Sequence, residues 1–567
     1  MGKREYLITE KVKLDFKKKG TIIFFDEYLQ NLFDKKDLKN VEYSSFYSIK
    51  DQENLDFESD LLHEKVNLYR ADLSKVLNKI HKTDYSEKYW GLILDQFIFL
   101  TINPIIIDYP LLKKIYESNK NILLNKVSFK NFYSDSVDFH SSYFEDNRQA
   151  YVRYVIGKKL GFETEKLHQS NTDEKIKKKS IKENFFDKIL RSIFQSYVKF
   201  YKPKLILNSY LGKLNAIKIF LNSFGKILSI PTHLFFKDNT YYKKKNIDLR
   251  KQLRVTERDF IDETFNLLIK DFMPASYIEN FEYYNKIIKK LKFLPLLGTA
   301  TSLIYNDHFK YLSAEILKSN GKVITLQHGG LIGKIKYDYD EVIQKKYASK
   351  TFHWYDAKSI KENFFDKLKK YNLSNIESKN KILIYPTRTI LKANYKYPLL
   401  KQYHPYLNLN YKFYEYLNSD IKEKTKIKLF PEPTSKLVKE KWIEKYNKKN
   451  LFVENKKNIF SNYKLIILDD FSTPICELLY TGAPFLIIVD QYSVYKKNTY
   501  DKIINLEKIN VLFRHPDKAA DFLNKNYHNL PKWWNTVKKN QIYQDIKNDL
   551  LPDFSRQIKL QKILETL

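Results

Sequence analysis

The sequence predicts an α/β protein of two Rossmann-like domains with a cleft between them, the first carrying a helical insertion. Three observations predict it. Strand–helix–strand spacing occurs twice in the first half, at 205–230 and 301–326. The same alternation restarts at 381 and continues to 489, and such alternation builds parallel sheets covered by helices. Between them, Val323–Gly333 (VITLQHGGLIG) runs from a short apolar strand straight into a glycine turn. Gln327 and His328 then stand at a strand's C-terminal end, where open α/β sheets bind ligands. Gly329 and Gly330 allow positive φ and close approach of a ligand. A plain left-handed turn beside a satisfied histidine would use the same residues.

Taken in order, Tyr6–Thr9 and Thr21–Phe25 read as short strands. From Leu61 to Lys82 apolar residues recur at three- and four-residue steps, which marks a helix in an insertion spanning about 59–117. His63, Arg70, Asn78, His81 and Tyr89-Trp90 are expected to cap or cross-link it. Gly91–Tyr109 is the most apolar window. Pro104 leaves too little on either side to span a bilayer, so it reads as a core helix followed by a buried strand or turn, with an interfacial helix as the alternative. Residues 166–182 are a polar linker. Leu205–Leu207, Asn215–Phe224 and Lys226–Ile230 form the first strand–helix–strand unit, with Asn208, Ser209 and Tyr210 on its ligand side. Lys237–Arg258 reads as a basic solvated excursion, followed by helices through Leu267-Leu268 and Ile287–Leu291. The second unit is Thr301–Tyr305 as strand, Phe309–Ser319 as helix and Val323–Leu326 as strand. Asp307-His308 and Gln327-His328 would then meet at neighbouring strand ends. Thr351–Tyr355 is one further strand. The first, acceptor-side domain thus covers 1–356 and the second, donor-side domain 378–530; helices in 531–567 are expected to cross back.

In the second domain, Lys381–Tyr385, Ile427–Phe430, Leu451–Val453, Leu465–Leu468 and Phe485–Val489 read as strands, with a helix at Leu407–Leu417. The stretch DDFSTPICELLYTG is the most informative. Ser472 or Thr473 caps a helix whose first turn holds Pro474. Its free N–H groups and positive dipole end suit a phosphate, with Asp470 beside them. Glu477, four residues after Thr473, is placed to reach a ribose hydroxyl, or simply to favour the helix dipole. Arg388 stands out because only 11 of the 100 basic residues are Arg; a planar fork there suits phosphate, or a structural ion pair.

Composition narrows the function. At 567 residues and 43% hydrophobic content the chain can bury large cores. The formal charge is +33, yet lysine is spread throughout, whereas nucleic-acid binders gather it on one face. Nucleic acid is not an expected partner; anionic sugar-phosphates or an anionic membrane surface fit better. The single Cys476 excludes an intramolecular disulfide and fits a reducing, cytoplasmic compartment. The N-terminus lacks the pattern of a signal peptide, and Gly2 lacks the Ser/Thr context of myristoylation. Asp338-Tyr339-Asp340 has a D-x-D metal spacing but reads as a solvated loop, and no metal or other cofactor is expected.

The strand end ILIYPTR and the block DDFSTPICELLYTGAPFLII resemble the corresponding blocks of bacterial CDP-glycerol glycerophosphotransferases, which also carry a histidine-glycine turn like QHGG. That resemblance implies that His328 acts as a base. The whole chain more closely resembles a family of bacterial surface-carbohydrate transferases. The shared blocks are LNKIH with YW (Leu77–His81, Tyr89-Trp90), QHGG and D-x-x-S-T. Both groups imply a GT-B-type fold. One departure stands: the His-Pro pair of the glycerophosphotransferases is replaced by Phe430-Pro431-Glu432-Pro433, which argues against CDP-glycerol as donor.

The expected activity is transfer of a sugar from a nucleotide-activated donor to a hydroxyl of a surface glycan or lipid-linked acceptor, at the inner face of the cytoplasmic membrane. His328 or Asp307 would act on the acceptor proton. Gln327, Gly329, Gly330, Arg388, Asp470, Ser472, Thr473 and Glu477 would hold the donor. Alditol-phosphate transfer and a non-catalytic glycan-binding or assembly role are the alternatives.

Overall fold

The computed structural model describes residues 4–9, 20–30, 38, 42–47, 59–129, 132–142, 146–165, 184–209, 213–237, 244–329, 333–334, 338–353, 379–386, 403–429, 434–453, 459–469, 471, 473–489 and 496–551. Over these residues it is an α/β protein with three five-stranded parallel sheets, not the two expected. By packing, residues 1–209, 224–325 and 342–350 form one compact unit, and 210–223, 326–341 and 351–567 a second.

The first sheet contains β1 (Arg4–Ile8), β2 (Gly20–Asp26), β3 (Tyr43–Tyr47), β4 (Leu123–Asn125) and β5 (Thr164–Glu165), in the order β3-β2-β1-β4-β5. The helical insertion is the connection from β3 to β4. It consists of α1 (Ser59–His81) and α2 (Glu87–Ser118). The strand or turn expected after Pro104 is absent: α2 runs through Pro104 and Pro110. A proline removes one N–H and frees the carbonyl four residues earlier. Arg148, on α3 (Asp146–Leu160), donates to that Leu100 carbonyl at 2.9 Å. Among the described residues α2 alone is long and apolar enough to cross a membrane, and it is buried almost throughout.

The polar residues of the insertion do cross-link it. The Asn78 side-chain oxygen accepts from Trp90 Nε1 at 2.8 Å, Thr83 Oγ1 at 2.9 Å and the Tyr85 amide at 3.0 Å. His81 meets the Tyr277 carbonyl at 2.9 Å and stacks on Phe281; burial pulls its pKa down to about 4. Arg70 pairs with Asp95 and Glu87.

The second sheet follows α4 (Phe185–Tyr201). It comprises β6 (Lys204–Leu207), β7 (Ile227–Ile230), β8 (Leu296–Thr299), β9 (Lys322–Leu326) and β10 (Lys350–Phe352), in the order β10-β9-β8-β6-β7. Helix α5 (Lys213–Asn222) joins β6 to β7, and α6 (Phe260–Phe272) and α7 (Asp307–Lys318) lie further on. The strand expected at 301–305 is instead a helical turn, Ser302–Tyr305, and the true strand lies just before it. Thr299 Oγ1 accepts the Ser302 amide at 2.8 Å and the Thr301 amide at 3.2 Å, which turns the chain out of the sheet. Gly298 obscured β8 in the sequence, yet it belongs there. A Cβ at that position would stand 3.0 Å from Ile324 Cγ1 and 3.3 Å from Ile206 Cγ1, on the flanking strands.

The third sheet contains β11 (Ile382–Tyr385), β12 (Thr425–Ile427), β13 (Leu465–Leu468), β14 (Phe485–Ile488) and β15 (Leu512–Phe513), in the order β12-β11-β13-β14-β15. Helix α8 (Tyr403–Tyr416) links β11 towards β12. Of the strand expected at Leu451–Val453, Leu451 ends a 3-10 turn (Lys449–Leu451) and Phe452 makes an isolated bridge to Ile427. Helix α9 (Thr473–Thr481) follows β13, α10 (Lys497–Ile504) follows β14, and α11 (Leu530–Lys539) and α12 (Gln541–Leu550) come last. Trp534, Tyr543, Ile546 and Leu550 of these last helices share one core with Leu383, Ile466 and Phe485. Residues 530–550 therefore complete the second unit.

Candidate functional site

All five strands of the third sheet run the same way, so their C-terminal ends share one edge. The order reverses between β11 and β13: the chain goes from β11 to β12 on one side and returns to β13 on the other. Doubly wound sheets bind ligands at that reversal. Tyr385 ends β11, Lys428 follows β12, and Asp469 follows β13 just before α9.

These groups interact. Lys428 Nζ donates to Tyr385 Oη at 3.4 Å and lies 4.4 Å from its ring centroid. Glu477, one turn into α9, has its carboxyl pushed up to about 7 by burial, against the pull of the Lys428 ammonium. Burial and then Glu477 push the Tyr385 hydroxyl up to about 12. Burial lowers the Lys428 pKa, and Glu477 opposes it. Asn410 on α8 donates to Asp469 at 2.9 Å, fixing the carboxylate where β13 ends. Among the described residues the Glu477 carboxylate makes no hydrogen bond. Thr473 begins the helix, whose N-terminal end attracts anions. Arg388, Asp470 and Ser472 lie outside the described residues. Lys428, Tyr385, Asn410 and Asp469 were not singled out in the sequence; one lysine among so many carries no signal until the fold buries it.

The glycine turn belongs by packing to the same unit. The Gln327 amide donates to the Phe352 carbonyl at 2.8 Å, and its side chain folds back onto the Gly329 carbonyl at 2.5 Å. His328 between them is half-buried. Gly330 lies outside the described residues. Gly333 adopts φ +86°, open to glycine at little cost. Its carbonyl accepts from Lys496 Nζ at 2.7 Å, and the Lys334 carbonyl accepts from the Lys496 amide at 2.9 Å. Lys334 and Lys502 both donate to Asp549, at 3.0 and 2.8 Å. Lys496 ends the connection that leaves the C-terminal end of β14, so the segment just after His328 is tied to a strand-end connection of the third sheet.

Asp307 stands in the first turn of α7, not at a strand end. Its carboxylate accepts the Ser136 amide at 2.9 Å and the Ser136 hydroxyl, and lies 3.9 Å from Lys310 Nζ. All of these groups are buried. His308 beside it is buried against Phe236 and Tyr284, and burial pulls its pKa down to about 3. Asp338 and Asp340 are buried, not solvated as expected: Asp338 accepts the Asp340 amide at 3.0 Å where the helix Tyr339–Tyr347 begins. Among the described residues no group of three His, Cys, Asp or Glu side chains is arranged to hold a metal ion.

No curated protein matches the chain. One family model does, described as LIC12162 family transferase, and it matches residues 5–559. That span takes in all three sheets apart from Arg4, the glycine turn and the strand-order reversal between β11 and β13. The chain belongs to the LIC12162 family of transferases.

Proposed function

We propose that this transferase moves a sugar from a nucleotide-activated donor to a hydroxyl of a cell-surface glycan, as a GT-B-type enzyme. The observation that carries the reading is the grouping of Lys428, Tyr385, Glu477 and the start of α9 at the strand-order reversal of the third sheet. The helix end and Lys428 offset the charge of the donor phosphates. Glu477, when ionised, accepts hydrogen bonds from the ribose hydroxyls. Asp470, Ser472 and Arg388 add to the phosphate contacts. On the acceptor side, His328 takes the hydroxyl proton as that oxygen bonds to the sugar's anomeric carbon; the bond from that carbon to the donor phosphate breaks, and the nucleotide leaves with the electron pair. Gln327 and Gly329 flank His328 and hold it through the Gln327 side chain's bond to the Gly329 carbonyl; Gly330 is assigned with them to the donor. Asp307, enclosed by Ser136 and Lys310, holds the first unit together in this reading.

Thermal unfolding against CMP, CDP, UDP, GDP and ADP tests the donor site, because a ligand of the native state raises Tm by mass action. One nucleotide is expected to raise Tm, and Thr473→Ala and Glu477→Gln to remove most of that rise. No rise with any nucleotide, or an equal rise in both variants, overturns the assignment. His328→Ala is expected to abolish turnover, by roughly a hundredfold or more, with the nucleotide response intact. A product in which the acceptor carries an alditol joined through phosphate, with CMP released, would mark alditol-phosphate chemistry instead.

A further inference from the structure

Helix α4 carries a surface that the transferase reading does not use. One face packs inward: Val198 is buried, Arg191 donates to the His233 carbonyl at 3.0 Å, Gln195 to the Phe235 carbonyl at 2.8 Å, and Tyr197 to the Gly225 carbonyl at 2.8 Å. Those contacts fix the roll of the helix. Phe185, Ile189, Ile193 and Phe200 then fall in one outward stripe, with Phe186 and Tyr201 beside it, and all six are exposed. Phe185 and Phe200 are each 74% exposed.

Two more aromatics adjoin the stripe. Phe224, next to the Gly225 that Tyr197 anchors, is 92% exposed at φ +51°. A bulky residue rarely adopts that backbone, and here its ring is turned to solvent. Phe293 is also exposed, and Lys202 Nζ lies 5.7 Å from its ring centroid. Lys188, Lys199, Lys202 and Lys292 flank these rings, and Asp187 is the one acidic residue of α4. Apolar residues scattered singly are ordinary on a surface; a contiguous aromatic stripe marks a docking face.

We propose that this face docks on a bilayer containing anionic lipid. An aromatic and aliphatic stripe flanked by lysines suits the boundary between headgroups and acyl chains. A second copy of the chain fits poorly, since it would bring the same lysine rim face to face on molecules of formal charge +33. The inference stands on α4 and its neighbours and does not depend on the donor.

Flotation of the full chain with vesicles tests it. The protein is expected to float with vesicles of equal parts phosphatidylcholine and phosphatidylglycerol, and not with phosphatidylcholine alone. Phe185→Ser/Ile189→Ser/Phe200→Ser keeps every lysine and is expected to lose partitioning by roughly tenfold at unchanged Tm. As a second probe, Ser196→Cys on the exposed apolar side carries an environment-sensitive dye; the native Cys476 is buried. Its emission is expected to shift to the blue on the anionic vesicles. The proposal is overturned if the triple variant floats like the native protein, if the native protein does not float, or if the native protein is a dimer that the triple substitution dissociates.

Discussion

Glu477 sits one turn into α9 with its carboxyl raised by burial from 4.5 to about 7. The folded state therefore keeps a proton that the unfolded state has released between those values. Stability falls as pH rises through that window, by about 2 kcal/mol once partial exposure is allowed for. Glu477→Gln removes the ionisation. Its Tm should match the native value near about pH 4.5 and exceed it above about pH 7, as read by thermal melts across that range. Asp307 makes the opposite case. Asp307→Ala would strip the Ser136 amide of its acceptor and leave Lys310 buried without its nearest carboxylate, at about 3 kcal/mol of stability. Lost turnover at unchanged Tm would return Asp307 to a catalytic role. Arginine scarcity in the sequence pointed to Arg388. In the described residues, scarce arginines do structural work deep in the fold: Arg148 on the Leu100 carbonyl, Arg153 on Asp108, and Arg250 on both oxygens of Glu279.

At the scale of elements, strand ends were legible where apolar β-type residues run into a turn, as at β6, β9, β11, β13 and β14. They were misread where side chains redirect the backbone, as Thr299 does. Helix α2 was misread because proline usually ends a helix, and here a distant arginine supplies the missing donor. Arg148 also donates to the Phe139 carbonyl at 2.9 Å. Arg148→Met should strip the buried Leu100 carbonyl of its donor, while the Phe139 carbonyl keeps the Ser142 hydroxyl at 2.8 Å, at about 1–3 kcal/mol. Urea unfolding measures this, and a change under about 0.5 kcal/mol would mean that water replaces the guanidinium. The Leu77–His81 and Tyr89-Trp90 blocks are explained at this scale too, as the hydrogen-bonded joint between α1 and α2.

Across the whole molecule, the link from Lys496 to Gly333 and Lys334 and the shared Asp549 tie the glycine turn to the third sheet's unit. Burial pushes the Asp549 pKa up, but hydrogen bonds from Lys502 and Lys334 outweigh it and hold the carboxyl below its ordinary value. That contribution is present at neutral pH and is lost as pH falls below the ordinary carboxylate range. Asp549→Ala should lower turnover several-fold, about 1 kcal/mol in the barrier, with the nucleotide response unchanged; loss of both would place Asp549 at the donor site itself. The α/β class, the restart of the alternation at 381, the glycine turn and the helix beginning at Thr473 were all determined by local sequence, because apolar periodicity, glycine and capping chemistry act over a few residues. Only the tertiary structure decided that the first half holds two sheets, that Asp307 is enclosed, and that Lys428 and Tyr385 stand beside Glu477. Strand order and burial arise from contacts between segments far apart in the chain, and burial alone separates these few charged groups from a surface covered in lysine.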